Sequence, residues 1–183
     1  MRAQSKVIRF LIQWVKVLVG YWDRYEIKQD RHYSHLFLYK LKAYKEGRHM
    51  LFKAKFTESC LYDVRDDDIN KLYGFTDANS GVHDNSVRFG WRHNGKGYIE
   101  IFAYWYNDNK RGWKKLGDTI PEQIDTYEIW ARDTQYYFRF NDNIHIVYRE
   151  FGFKHGLRLR LYPYFGGNRP APNDIIIYIH EIK

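Results

Sequence analysis

The sequence predicts an all-β fold, a two-sheet antiparallel β-sandwich or jelly roll with an N-terminal amphipathic helix, and three observations predict it. Short runs in which apolar and polar residues alternate recur about every ten residues, separated by turns rich in Gly, Asn and Asp. Aromatic residues make up 19% of the 183-residue chain, with 17 Tyr, 12 Phe and 6 Trp, a composition that suits pleated, half-buried surfaces. The chain then ends on Asp174-Ile175-Ile176-Ile177-Tyr178-Ile179-His180, too apolar on both faces for an exposed edge, so this late strand needs partners made earlier.

Taken in order, residues 7–22 carry their polar members Arg9, Gln13 and Lys16 three and four apart, and Lys6 and Gly20 extend the stripe. That spacing is one face of a helix. The segment is short and charged for a bilayer span, and it lacks the apolar core and small-x-small site of a signal peptide. A helix docked on the sandwich or on a neighbouring subunit, a membrane-surface helix and an uncleaved anchor all fit it, and its β-branched residues leave a strand open. The expected division is a segment 1–24 followed by a sandwich over 25–183.

Residues 34–44 and 50–56 flank Glu46-Gly47-Arg48 as a hairpin, with Phe52, Ala54 and Phe56 inward and Lys53 and Lys55 outward. Asp, Asn, Ser and Gly cluster over 63–86, which predicts loop with a single helical turn. Val87, Phe89 and Trp91 alternate with Arg88, Gly90 and Arg92, and the turn 93–97 returns the chain as a strand over 98–106. Strands follow at 127–132, 136–140 and 144–149, the last two joined by Asn141-Asp142-Asn143. Leu157, Leu159 and Leu161 then alternate with Arg158, Arg160 and Tyr162, which predicts a strand that buries its leucines. Gly166, Gly167, Pro170 and Pro172 break it from the closing strand, through positive-φ tolerance and lost backbone donors.

Two stretches carry a family resemblance. Thr126-Tyr127-Glu128-Ile129 followed by Tyr136-Tyr137-Phe138-Arg139-Phe140-Asn141-Asp142-Asn143 resembles the strand, turn and Asn-turn core of concanavalin A-like lectin/glucanase domains. The tail from Leu161-Tyr162-Pro163-Tyr164-Phe165-Gly166-Gly167 to Ala171-Pro172-Asn173-Asp174-Ile175 is similar to the tails of bacterial and phage members of that group. The resemblance covers about residues 30–183 and implies a fold, from which function does not follow.

Charge and motifs narrow the function. The net charge of +8 lies wholly in residues 1–60, which hold 13 Lys/Arg against 5 Asp/Glu. Such asymmetry points to an anionic partner there, a membrane surface or nucleic acid, or else to a solvated basic face. One cysteine, Cys60, makes no internal disulfide. Retaining glycoside hydrolysis needs two carboxylates about 5–5.5 Å apart, whereas Glu100 and Glu128 each stand alone on their strands and Asp66-Asp67-Asp68 falls in predicted loop. No metal or other cofactor is expected. The eight His are scattered, although the acidic loops near Asp63 and Asp142 have the hard oxygens that calcium takes.

The resemblance implies a further chemistry, because related lyase sandwiches place Arg, Gln, His and Tyr on the concave sheet. Abstraction of a proton beside a uronate needs a base and a cation for the carboxylate. Arg88, Arg92, Tyr104, His145, Arg158, Arg160, Tyr162 and Tyr164 are the ligand-binding candidates. Asn143-Ile144-His145 is a loose echo of a Gln-Ile-His lyase motif, while the Tyr-x-Lys-x-Gly strand is missing. The expectation is therefore a non-enzymatic, lectin-like sandwich with no catalytic residues. It would serve as a structural or adhesion component of a homo-oligomeric assembly such as a phage virion, made in the cytoplasm without a secretion signal. The alternative is a glycan-binding module or a polysaccharide lyase acting on an acidic polysaccharide.

Overall fold

The computed structural model describes residues 21–34, 48–63, 68–149 and 156–182. Eleven strands are formed by the described residues: β1 (Asp23–Ile27), β2 (His49–Phe56), β3 (Asn70–Thr76), β4 (Ser86–His93), β5 (Ile99–Asn107), β6 (Lys110–Thr119), β7 (Asp125–Ala131), β8 (Gln135–Phe140), β9 (Asn143–Tyr148), β10 (Arg160–Leu161) and β11 (Ile175–Ile182). They make two antiparallel sheets, one ordered β1-β11-β2-β7-β8-β9 and the other β10-β3-β4-β5-β6. The late apolar strand β11 lies between β1 and β2, with Ile177 opposite both Tyr25 and Phe56. The sandwich closes with its C-terminal strand, as its two-sided apolarity requires.

The core fills the space between the sheets with aromatic rings. Phe52 and Tyr127 stack at 5.0 Å, and Phe89 meets Tyr127 edge-on at 5.0 Å from the opposite sheet. Offset and edge-to-face pairs of this kind add about 0.5–1.5 kcal/mol each beyond the area they bury. The alternation of β4 and β5 is the predicted one: Val87, Phe89 and Trp91 are buried in the core with Ile99, Ile101 and Ala103, so Arg88, Glu100 and Tyr104 fall on the outer face.

Three differences from the sequence expectations have physical causes. The predicted loop 63–86 contains β3, because a bulge between Lys71 and Gly74 breaks the period-two pattern and turns both Leu72 and Tyr73 into the core. β6, polar along most of its length, pairs with β5 from Asn107 to Ile99, and its exposed edge position hides it from a hydrophobic pattern. The run leading into β10 inverts the predicted burial: Leu157 is 57% exposed, whereas Arg158 is 4% exposed. Anions inside the sandwich reverse the strand, since Arg158 reaches Asp77 and Arg160 pairs with Glu181 at 2.8 Å. Tyr21 and Trp22 lead into β1, which starts at Asp23. The remainder of the expected N-terminal helix and the first strand of the 34–44 hairpin lie outside the described residues.

Asp77 anchors the end of β3. Arg149 binds it bidentately, Nε to Oδ2 at 2.5 Å and Nη2 to Oδ1 at 2.6 Å, and the Tyr136 hydroxyl donates to Oδ2 at 2.8 Å. Both side chains of this ion pair are fully buried. Its geometry is the fork that guanidinium and carboxylate share, and it fixes the turn that leads to one wall of the site described next.

Candidate functional site

The outer face of the five-stranded sheet holds a groove. Its main cavity, about 580 Å³, is floored by Lys71 of β3, Arg88 of β4, and Tyr104 and Tyr106 of β5. Its walls come from Val82 and His83 on one side and from Leu161, Tyr162, Tyr164, Gly166 and Gly167 with Tyr33 on the other. A second cavity of about 490 Å³ continues it over β6, sharing Lys71, Tyr104 and Arg111 and adding Asp68, Trp113 and Arg169.

Sequence and backbone build this floor together. The β3 bulge leaves Lys71 facing out while its neighbours go inward. Gly74 lies opposite Arg88, and a Cβ there would sit 2.5 Å from the Arg88 Cβ and closer still to the Val87 carbonyl. Only glycine admits the Arg88 backbone at this spacing. Lys71 also exchanges backbone hydrogen bonds with Tyr164, at 2.8 and 2.9 Å. That clip sets Tyr164 upright as a wall, stacked on His32 at 5.3 Å and edge-on to Tyr33 at 5.0 Å. The rim beyond it is fixed by Asp68, which accepts from the backbone N–H groups of Gly167 and Asn168.

The electrostatics of the floor are unusual. Arg88 is 7% exposed; its Nε has no hydrogen-bond partner, and among the described residues no carboxylate is paired with it. Its guanidinium carbon lies 5.4 Å from the centre of the Tyr104 ring, a cation–π contact that replaces only part of its lost hydration. Burial works against its charge, while the phenols of Tyr104, Tyr106 and Tyr164 favour it. Lys71 sits beside the same ring, its Nζ 5.3 Å from the centre and donating to the Gly166 carbonyl at 3.0 Å. Burial first, and the Arg88 charge second, push the Lys71 amine down to about 8. Burial pushes the Tyr104 phenol up to about 12 and raises Tyr164 as well. Two desolvated cations and a set of phenols therefore face one cavity, with Asp68 at its far rim.

Of the residues expected from sequence, the structure gathers Arg88, Tyr104, Tyr162 and Tyr164 around this cavity. Arg92 shares the sheet face but is held by Glu100 at 2.6 Å, in a network that continues to Lys115 and Asp118. Arg158 and Arg160 point inward to Asp77 and Glu181. His145 lies on β9 of the other sheet, 5.6 Å from the Trp105 ring. Lys71, His83, Tyr106 and Arg111 belong to the groove and were missed. Tyr106 shares a parity with Tyr104 that the sequence shows, whereas Lys71 needs the bulge. Among the described residues no three His, Cys, Asp or Glu side chains come together to hold a metal ion, and none forms a helix long and apolar enough to cross a membrane.

No family model matches the chain, and no curated protein does. Solved structures do match. An alginate lyase from Pseudomonas aeruginosa superposes with a TM-score of 0.54 at 16% identity over 75% of this chain and 64% of that one. The laminarinase catalytic domain from Thermotoga maritima gives 0.55 at 11% identity, over 86% and 74%. An alginate lyase from Klebsiella pneumoniae gives 0.52 at 10% identity, over 74% and 59%. The chain thus spans about three fifths of the length of these two alginate lyases. The fold is that of the concanavalin A-like jelly-roll sandwiches. The matches also correct one expectation. The three are two alginate lyases and a laminarinase catalytic domain, none of them a structural or virion component, so the non-enzymatic assembly role is withdrawn and the glycan-acting alternative is taken up as a proposal.

Proposed function

We propose that the chain acts on an acidic polysaccharide through the groove on its five-stranded sheet, as a uronate-binding sandwich of the polysaccharide lyase kind. The observation that carries this reading is Arg88, a buried guanidinium facing the cavity with no carboxylate among the described residues paired with it. A buried cation without a counter-ion is costly. A uronate carboxylate supplies the missing charge in the bidentate geometry that guanidinium prefers.

The surrounding groups suit the chemistry of elimination. A base removes the proton on the carbon beside the uronate carboxylate, and the charge that develops on the carboxylate is held by Arg88. The bond from the next ring carbon to the glycosidic oxygen then breaks, a carbon–carbon double bond forms, and an acid protonates the leaving oxygen. Lys71, His83, Tyr104, Tyr106 and Tyr164 are the proton-transfer groups along the cavity. Aromatic rings on its walls suit the apolar faces of sugar rings, and the positive charge of residues 1–60 draws a polyanion toward the molecule.

The test is incubation of the full chain with polyuronates and with a neutral glucan, following the ultraviolet absorbance of unsaturated uronate ends. Absorbance that grows with the polyuronate and not with the glucan supports the reading. Absence of both turnover and binding for every polyuronate refutes it.

A further inference from the structure

Within the proposed elimination, which this inference rests on and deepens, we infer that Lys71 is the base that takes the proton from the sugar, and that the tyrosines lining the groove serve as proton donors. Three geometric facts support it. Lys71 lines both cavities of the groove, so a chain of sugars running through them passes its side chain. Its Nζ is oriented by one hydrogen bond, to the Gly166 carbonyl at 3.0 Å, which a neutral amine also makes while keeping its lone pair for the substrate. Its main chain is clipped to Tyr164 through both its N–H and its carbonyl, so the amine is held by rigid elements.

The groups around the amine push it toward the free base. Burial opposes its protonation most, Arg88 on β4 and Arg111 on β6 add to that, and Asp68 favours protonation from the rim. The packed phenols of Tyr104 and Tyr164 are moved the opposite way, which keeps them protonated. A base and an acid whose environments drive them apart is the arrangement that proton transfer in both directions needs. When the substrate carboxylate binds Arg88, it cancels the repulsion that the guanidinium exerts on Lys71 and stabilises the ammonium formed on abstraction. The balance is complete within the site: the ring proton ends on Lys71, the electron pair of its C–H bond becomes part of the new double bond, and a phenolic proton goes to the departing oxygen. The Lys71 proton then returns to the phenolate through solvent.

The experiment compares the full chain with Lys71→Arg and Lys71→Met on an oligouronate, measuring turnover against pH and, separately, equilibrium binding. The wild-type kcat/KM, which reports the free protein, should rise with pH along a limb centred near 8, the value set by the buried amine. Lys71→Arg, which keeps the charge but is no base near neutrality, should bind within about threefold of wild type. It should lose at least about 100-fold in turnover together with the limb. Retained turnover in Lys71→Arg, or an unchanged limb, overturns the assignment. Equal loss of binding and turnover overturns it too, in favour of carboxylate positioning. Wild-type turnover is the separate control on the proposed function itself: without it, that reading fails first and the assignment with it, whereas turnover that ignores Lys71→Arg sinks the assignment alone.

Discussion

Arg88 lies with its guanidinium carbon 5.4 Å from the centre of the Tyr104 ring, and that aromatic face takes the place that a carboxylate fills for the other deeply buried arginines, Arg149 and Arg158. The contrast separates structure from function inside one sandwich. Arg149 is neutralised by Asp77 and holds the fold. Arg88 has no such partner among the described residues, and in the proposed function it meets the ligand carboxylate.

A buried cation without a counter-ion weakens the folded protein. Arg88→Met should raise thermal stability, because a buried charge with no counter-ion gives way to an apolar chain of similar length. A gain of about 1 kcal/mol moves Tm by roughly 2–4 °C for a chain of this size. The same variant should lose uronate binding. Calorimetry and ligand titration on one preparation check both, and a variant less stable than wild type contradicts this account of Arg88.

Asp77 predicts the opposite sign. Asp77→Ala strands Arg149 and Arg158 without their carboxylate and leaves the Tyr136 hydroxyl without its acceptor. Breaking one partner of a buried pair costs about 3–5 kcal/mol, so the denaturant midpoint should fall steeply. Replacing Arg149 as well should recover part of the loss.

Gly74→Ala tests the backbone spacing beneath the site. The added methyl meets the Val87 carbonyl and the Arg88 main chain well inside contact distance, and β3 and β4 must part to admit it. Overpacking of this kind costs about 1–3 kcal/mol. Ligand affinity should fall even at temperatures where the variant is fully folded.

Lys71 also leaves a mark on stability. Its folded value, about 8, lies below the roughly 10.4 of an unfolded lysine, so the unfolded chain binds more protons between those values. Stability from this group therefore rises as pH climbs through 8 and levels off near 10.4. Each unit of difference is about 1.4 kcal/mol. The gap in stability between wild type and Lys71→Met should shift in favour of wild type across that window, as read by denaturant titration at fixed ionic strength.

Much of the sandwich is legible in the sequence, because β4, β5, β7, β8 and β11 alternate or bury both faces as strands do. The groove is legible only in part. Arg88 and Tyr104 follow from that alternation, since each flanks core residues that point the other way. Lys71 does not, because a bulge suspends the period just where it leaves the core. Arg158 and Arg160 mislead for a different reason: a Leu-Arg alternation reads as buried leucine unless the anions that draw the arginines inward are known. Those anions, Asp77 and Glu181, are 81 and 21 residues away in the chain, beyond the reach of any local pattern.

The central claim, that Arg88 awaits a carboxylate, is tested most directly by titrating the protein with a uronate oligosaccharide and with its methyl ester, in wild type and in Arg88→Ala. The account predicts that wild type binds the acid at least about 30-fold more tightly than the ester, equivalent to about 2 kcal/mol, and that Arg88→Ala binds the two alike. Equal affinity of wild type for acid and ester, or a preference that survives in Arg88→Ala, would contradict it.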